Sequence, residues 1–174
     1  MTKMLVKELT ACEDAIAMLR RHILWEFDFA LKVKEELESA TSLIESFKEQ
    51  YLGILKANGG VEEQDPRSGR TMVVIKQPVL KQPEDGMNTK DINVLNELNK
   101  KAIAEYNLLM NKVQDEANKL DNKEITVNVN KIPAGEFKSN FIAYTIPELK
   151  GKKFALTGEQ VELMDWFINF KTKK

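Results

Sequence analysis

The strongest candidate for chemistry in this sequence is a basic and aromatic cluster, Arg20-Arg21-His22, with Trp25 about one helical turn further on. On a helix, residues three or four positions apart lie on one face, so the guanidinium groups and the indole come within reach of each other. Such a set can hold a phosphate and stack a base. The alternative, which we favour, is that the arginines form ion pairs with glutamates nearby in sequence, such as Glu26.

A second basic grouping is formed by Arg67 and Arg70, which flank Gly69 in a segment rich in turn-forming residues. Their two guanidinium groups can close over an anion. Ion pairing with carboxylates is again the alternative. The candidate ligand- or partner-binding residues are therefore Arg20, Arg21, His22, Trp25, Arg67 and Arg70.

A catalytic constellation is missing from the sequence. His22 is the only histidine, so a serine triad would rest on one mid-helix residue and a metal site would need several carboxylates. Cys12 falls in the first turn of a predicted helix, where it is either a thiolate favoured by the helix dipole or a small buried hydrophobe. Glycine-rich phosphate loops and zinc-protease motifs are also missing. The sequence therefore predicts a protein that is not an enzyme and uses no metal and no cofactor.

The composition narrows the class of protein further. The 174 residues include 26 Lys and Arg against 27 Asp and Glu, a net charge of −1, so no overall positive field attracts nucleic acid or an anionic membrane. A single cysteine excludes an internal disulfide framework, and no apolar run reaches the roughly 18 residues of a membrane helix. We expect an intracellular or virion-type protein with no membrane partner and no sequence-specific nucleic-acid partner.

The first long element is predicted to be one helix over residues 11–57. Thr10 and Glu13 have the spacing of a capping box at its start, and Asn58-Gly59-Gly60 supplies a stop signal. Its second half carries apolar residues at alternating steps of three and four, the pattern of a coiled-coil seam: Leu37, Ala40, Ile44, Phe47, Tyr51 and Ile54.

The first half of this predicted helix is apolar in nearly every direction between Trp25 and Val33. Such a helix must be surrounded, yet one antiparallel neighbour covers only one stripe. The remaining faces are covered by the C-terminal segment, by a second copy of the chain or by a foreign partner. If the chain associates with itself, the contacts are expected at Leu24, Phe27 and Leu31.

Three further segments complete the prediction. Residues 58–88 contain three prolines and the β-branched run Thr71–Ile75, which predicts a loop or hairpin insertion. A helix over 89–120 carries an apolar stripe and should pair antiparallel with the first. Residues 124–170 form a strand and a C-terminal helical cap ending near Phe170. The fold class is mainly α, a long antiparallel helical hairpin with a small β element and a C-terminal helix, in a single domain of residues 1–174.

The order of these parts and the closing motif Leu-Thr-Gly-Glu-Gln-x-x-x-x-Asp-Trp-Phe-Ile (Leu156–Ile168) resemble a group of small bacteriophage proteins of unknown function, mainly from tailed phages of Gram-positive hosts. The resemblance covers the layout of the whole chain, its specific residues lie only in the closing motif, and this chain is longer through its 58–88 insertion. The family brings no established catalytic residues. What the resemblance implies is a phage or prophage protein in the host cell cytoplasm or in the virion.

The expected function follows from the missing catalytic set, the wide apolar region and this resemblance. We expect a phage-encoded binding protein that associates with itself and either antagonises a host defence factor or sequesters a small anionic, nucleotide-like signalling ligand. The alternative is a structural or assembly component of the phage particle.

Overall fold

The structure is a computed structural model that describes residues 1–144 and 157–170, without the side chains of residues 21–24, 141–144 and 160. The chain divides into two compact units. The first is built from Met1–Lys48 and Asp121–Lys174, and the second from Glu49–Leu120. Each unit is described by itself.

Short helices and strands surround the start of one long helix in the first unit. In chain order these elements are β1 (Thr2–Leu5), α1 (Val6–Ala11), α2 (Glu13–Ala17), a π-helical turn (Met18–His22), β2 (Ile23–Trp25), α3 (Phe27–Ala57, of which residues 27–48 belong to this unit), β5 (Glu124–Val127), β6 (Ile132–Pro133), α5 (Ala134–Ser139), β7 (Phe141–Tyr144), α6 (Gly158–Met164) and β8 (Ile168–Asn169). The second unit holds the end of α3, then β3 (Val61–Gln64), β4 (Thr71–Val74) and α4 (Thr89–Asp121), whose last residue belongs to the first unit.

The prediction of one uninterrupted helix over residues 11–57 is wrong in its first third. Helix begins earlier, at Val6, where the Glu8 carboxylate accepts a hydrogen bond of 2.7 Å from the Leu5 amide. Thr10 is not a cap, because its hydroxyl donates to carbonyl oxygens inside α1. The helical path then stops at β2, which pairs antiparallel with β7. Residues of β-branched and aromatic type favour strand when a partner strand is available, and that partner comes from far along the chain.

The strands form separate two-stranded ladders. β1 and β5 pair antiparallel with Thr2 opposite Val127, so the strand predicted from residue 124 is confirmed as far as Val127. β6 and β8 pair in parallel. This last pairing explains why the final helix ends at Met164 and not near Phe170: Ile168 is held in a ladder opposite Ile132. Residues 145–156 of the predicted cap lie outside the described residues.

An aromatic cluster forms the core of the first unit. The ring of Phe137 makes T-shaped contacts with three others, with centroid distances of 5.1 Å to Phe29, 5.6 Å to Trp25 and 5.9 Å to Phe167. Edge-to-face contacts of this kind add to the gain from burying the rings. Of the three coverings that the sequence left open for the aromatic start of the long helix, the C-terminal segment is thereby shown to supply one.

The predicted seam of α3 is also confirmed. Leu37, Ala40, Ile44 and Phe47 are buried in the first unit. In the second unit Tyr51 and Ile54 continue the same face and are half-buried. The spacing of apolar residues predicted the buried face correctly here, because these residues are helical and the spacing pattern assumes a helix.

The second unit joins the end of α3 to α4 through a β-hairpin. β3 and β4 pair antiparallel, which confirms the hairpin alternative for residues 58–88. Asn88 caps α4, since its Oδ1 accepts the Asp91 amide at 2.9 Å. Beyond the end of α3, the side-chain amide of Asn58 donates to the Glu116 carboxylate at 2.9 Å. Two long helices with small strands make the fold mainly α, as the sequence predicted.

The contrast between Gly60 and Gly53 gives a first prediction. A Cβ at Gly60 would lie 2.7 Å from both the Leu55 carbonyl oxygen and Val73 Cγ1, whereas one at Gly53, inside α3, would meet nothing within 4 Å. Gly60→Ala should therefore lower the free energy of unfolding by about 1–3 kcal/mol. Gly53→Ala, the matched control, should raise it by roughly 0.5–1 kcal/mol through helix propensity. Denaturant titration measures both, and equal effects would contradict the prediction.

Candidate interaction surface

The predicted aromatic member of the basic cluster, Trp25, is a core residue. It ends β2, it is buried, and its indole N–H donates to the Leu19 carbonyl oxygen at 2.8 Å. Its ring packs against Phe29 and Phe137. A residue that is only 8% exposed offers no free ring face for a base, so the phosphate-and-base arrangement loses its stacking partner.

The basic members of the cluster are placed by the backbone of the π-helical turn. Arg20 is exposed, and its guanidinium donates a hydrogen bond of 2.7 Å to the Thr41 hydroxyl on α3. The helical face predicted for these residues does not form, because the chain leaves the α-helical path at Met18. Within residues 1–144 and 157–170, Arg20 forms no ion pair with a glutamate. Arg21 and His22 belong to the π-helical turn and Leu24 belongs to β2. The side chains of these three residues lie outside the described part of the molecule.

Arg67 and Arg70 lie in the connection between β3 and β4, in the second unit. This turn is held by Asp65, whose carboxylate accepts the Arg67 amide at 2.9 Å and the Ser68 hydroxyl at 2.5 Å. The Ser68 hydroxyl and then the Arg67 amide hold the pKa of Asp65 below its usual value. Gly69 has a φ of 67°, which L side chains rarely adopt. Both guanidinium groups are exposed on the hairpin, while Arg20 belongs to the other unit.

The first exposed apolar surface is the Phe27 patch, made of Phe27, Leu31 and the recess beside them. Phe27 is the first residue of α3 and is 75% exposed, and Leu31, one turn later, is 41% exposed. The adjacent open cavity of ≈ 340 Å³ has an apolar floor and two cationic side chains: Leu19, Arg20, Trp25, Ala30, Val33 and Lys34. Two of the three predicted self-association residues, Phe27 and Leu31, are therefore accessible on the surface. The side chain of the third, Leu24, lies outside the described part of the molecule.

A second exposed apolar surface, which the sequence did not single out, lies on α4. Its apolar residues are only partly covered: Leu95, Val113 and Leu120 are buried, but Leu98 is 55% exposed. Val94 and Leu108 are exposed as well, at 56% and 72%. The sequence signal was present, because Val94, Leu98 and Leu108 lie four and ten positions apart and so share one face of a helix, but the stronger seam pattern masked it.

Cys12 is enclosed, as one of its two interpretations required. Its sulfur lies 3.1 Å from the carbonyl oxygens of Glu8 and Leu163 and accepts the Trp166 indole N–H at 3.2 Å. Burial raises the pKa of the thiol, the Trp166 hydrogen bond opposes that rise, and the Glu8 charge adds to it. The neutral thiol is therefore the favoured form, which is the opposite of what a nucleophile needs.

Within residues 1–144 and 157–170, no group of three or more His, Cys, Asp or Glu side chains is arranged to hold a metal ion. In that same part of the chain no helix is both long enough and apolar enough to cross a bilayer. Comparison with protein-family models, with curated proteins and with solved structures finds no match to this chain. The geometry of the two exposed apolar surfaces is thus the main guide to function.

Proposed function

We propose that this protein acts by binding protein surfaces, without catalysis, and that a second copy of the chain occupies the Phe27 patch. The observation that carries the proposal is the exposure of Phe27, a large aromatic side chain at the start of α3, directly beside an apolar recess. A two-fold symmetric interface uses the same patch on both copies, so it needs a protruding group and a recess next to each other. Aromatic residues seated in such recesses supply most of the energy of many interfaces.

Sequestration of a small anionic ligand has less support than protein binding. It depended on an indole face beside arginine side chains, and the Trp25 ring is packed among Phe29 and Phe137. Among the side chains that the structure describes, the cations of the recess are Arg20 and Lys34, on an apolar floor. Apolar surface flanked by charge is typical of a protein interface.

The biological role that we propose keeps the context implied by the sequence resemblance. In it, a phage-encoded protein in the host cytoplasm binds and blocks a host defence factor. The alternative, a structural component of the virion, is favoured by one observation: exposed apolar residues occur in both compact units, so one chain has more than one surface for assembly.

The proposal predicts that Phe27→Asp reduces self-association. The wild-type protein should have a molar mass in light scattering above the 19.9 kDa of one chain, and the variant a lower one. Aspartate is compatible with the first turn of a helix, so α3 should be unharmed. The control is Val79→Asp, at a residue that is 94% exposed outside this patch.

Two results would contradict the proposal: a wild-type protein that stays a monomer at high concentration, or a Phe27→Asp variant with the wild-type mass. Mass spectrometry of purified particles of a phage that carries the gene separates the two roles. Presence in the particle supports the structural role. Absence, with stoichiometric capture of one host protein by the wild type, supports the antagonist.

A further inference from the structure

We propose that α4 carries a second, independent self-association surface, on which α4 of another copy docks antiparallel. This α4 stripe is defined by six residues at steps of four and three: Val94, Leu98, Lys101, Glu105, Leu108 and Lys112. The proposal goes beyond the function proposed above, because it concerns the second unit and a different contact.

The six residues share one face of the helix. At 100° per residue they lie within about 40° of a common line, and they extend over roughly 27 Å of helix. Val94, Leu98 and Leu108 supply apolar side chains that are more than half exposed. The extended segment before α4 covers another side, since Asn99 binds the backbone of Lys81 through hydrogen bonds of 2.8 and 3.1 Å. Asn99 points about 140° away from that line.

The order of charged and apolar residues along the stripe is self-complementary in one direction only. The two-fold axis crosses the stripe at the level of Ile103 along the helix. Leu98 then lies opposite the partner's Leu108, and Lys101 lies opposite the partner's Glu105, because the members of each pair are equally far along the helix from residue 103. Two copies of each contact follow from the symmetry. A parallel pair in register would instead set Lys101 against the partner's Lys101, which costs free energy.

The shape of the stripe fits the same occupant. Two shallow, open hollows between side chains of α4 lie above and below the level of Ile103, one of ≈ 560 Å³ beside Val94 and Leu98 and one of ≈ 540 Å³ beside Leu108. In the antiparallel arrangement each hollow receives the leucine of the other copy. Lys112 then lies opposite the partner's Val94, where its aliphatic stem can cover the apolar side chain while its ammonium stays in water.

A charge-exchange experiment tests this contact. All variants carry Phe27→Asp, so that association through the Phe27 patch is removed, and sedimentation equilibrium measures the dissociation constant. The parent should form dimers. Adding Lys101→Glu, or separately Glu105→Lys, should raise the dissociation constant at least about ten-fold, because each change creates like-charge contacts across the two-fold axis. An equimolar mixture of the two variants should recover association to within about three-fold of the parent.

The mixture excludes an effect within one helix. Lys101 and Glu105 also form an ion pair within α4, in which Lys101 Nζ lies 3.9 Å from Glu105 Oε1. Each variant chain keeps its own internal repulsion in the mixture, so recovery can come only from contact between unlike copies. The inference is overturned if the parent is a monomer at millimolar concentration, if single variants associate like the parent, or if the mixture shows no recovery. The proposal for the Phe27 patch fails separately, if the Phe27→Asp variant alone has the same molar mass as the wild-type protein.

Discussion

Replacing Phe137 by alanine is expected to lower the free energy of unfolding by about 3–5 kcal/mol. The side chain is fully buried, and its ring contacts Trp25, Phe29 and Phe167. Its removal loses the transfer free energy of the ring and leaves a cavity between strand, helix and C-terminal residues, which come from distant parts of the chain. Urea titration followed by Trp fluorescence measures the change.

The matched control is Phe27→Ala, which removes the same atoms from a side chain that is 75% exposed. It should change the free energy of unfolding by no more than about 0.5 kcal/mol. The comparison is made at low protein concentration, because a second copy on the Phe27 patch would add stability by mass action. Equal losses for the two variants would mean that the aromatic cluster is not the core of the first unit.

The largest effect is expected at Cys12, which should react with iodoacetamide at least roughly a thousand-fold more slowly in the folded protein than in the unfolded chain. Its sulfur is buried and surrounded by the Glu8 and Leu163 carbonyl groups and the Trp166 indole. Because burial raises the pKa of the thiol, the reactive thiolate is also scarce. The same protein in guanidinium chloride is the control, and comparable rates in the two states would contradict the placement of Cys12.

The raised pKa of the Cys12 thiol also determines how the free energy of unfolding changes with pH. The folded protein holds the thiol proton more tightly than the unfolded chain does. The contribution of Cys12 to stability is therefore complete below the ordinary thiol pKa of 9.0, and it is lost as the pH rises above that value. A Cys12→Ala variant should show less of this alkaline loss than the wild type.

Elements with strong local signals were predictable from the sequence. The seam of α3 from Leu37 to Phe47 and the start of α4 at Thr89 appear where the pattern placed them. The hairpin in residues 58–88 was one of two alternatives, and Val61 pairs with Val74 as a hairpin requires. Helical periodicity, capping and turn chemistry act over a few residues, so they can be found without knowing what lies across the fold.

The candidate site was only half predictable. Phe27 and Leu31 were identified from the apolar excess at the start of the long helix, and both are accessible. Trp25 was assigned to a ligand site because it followed two arginines, but its indole is satisfied by the Leu19 carbonyl group. A single sequence shows that an aromatic residue is near basic ones, but it does not show which side of the ring is covered.

The sequence by itself determined the helical class of this protein and its two long amphipathic helices. Only the tertiary structure decided that residues 23–25 form a strand, since their partner β7 begins at Phe141, more than a hundred residues later. Tertiary contacts also decided which exposed apolar residues remain on the surface, because burial depends on side chains that arrive from distant segments, such as Phe137 and Phe167. Local patterns fix how a segment can fold, while long-range packing fixes what each face is left to bind.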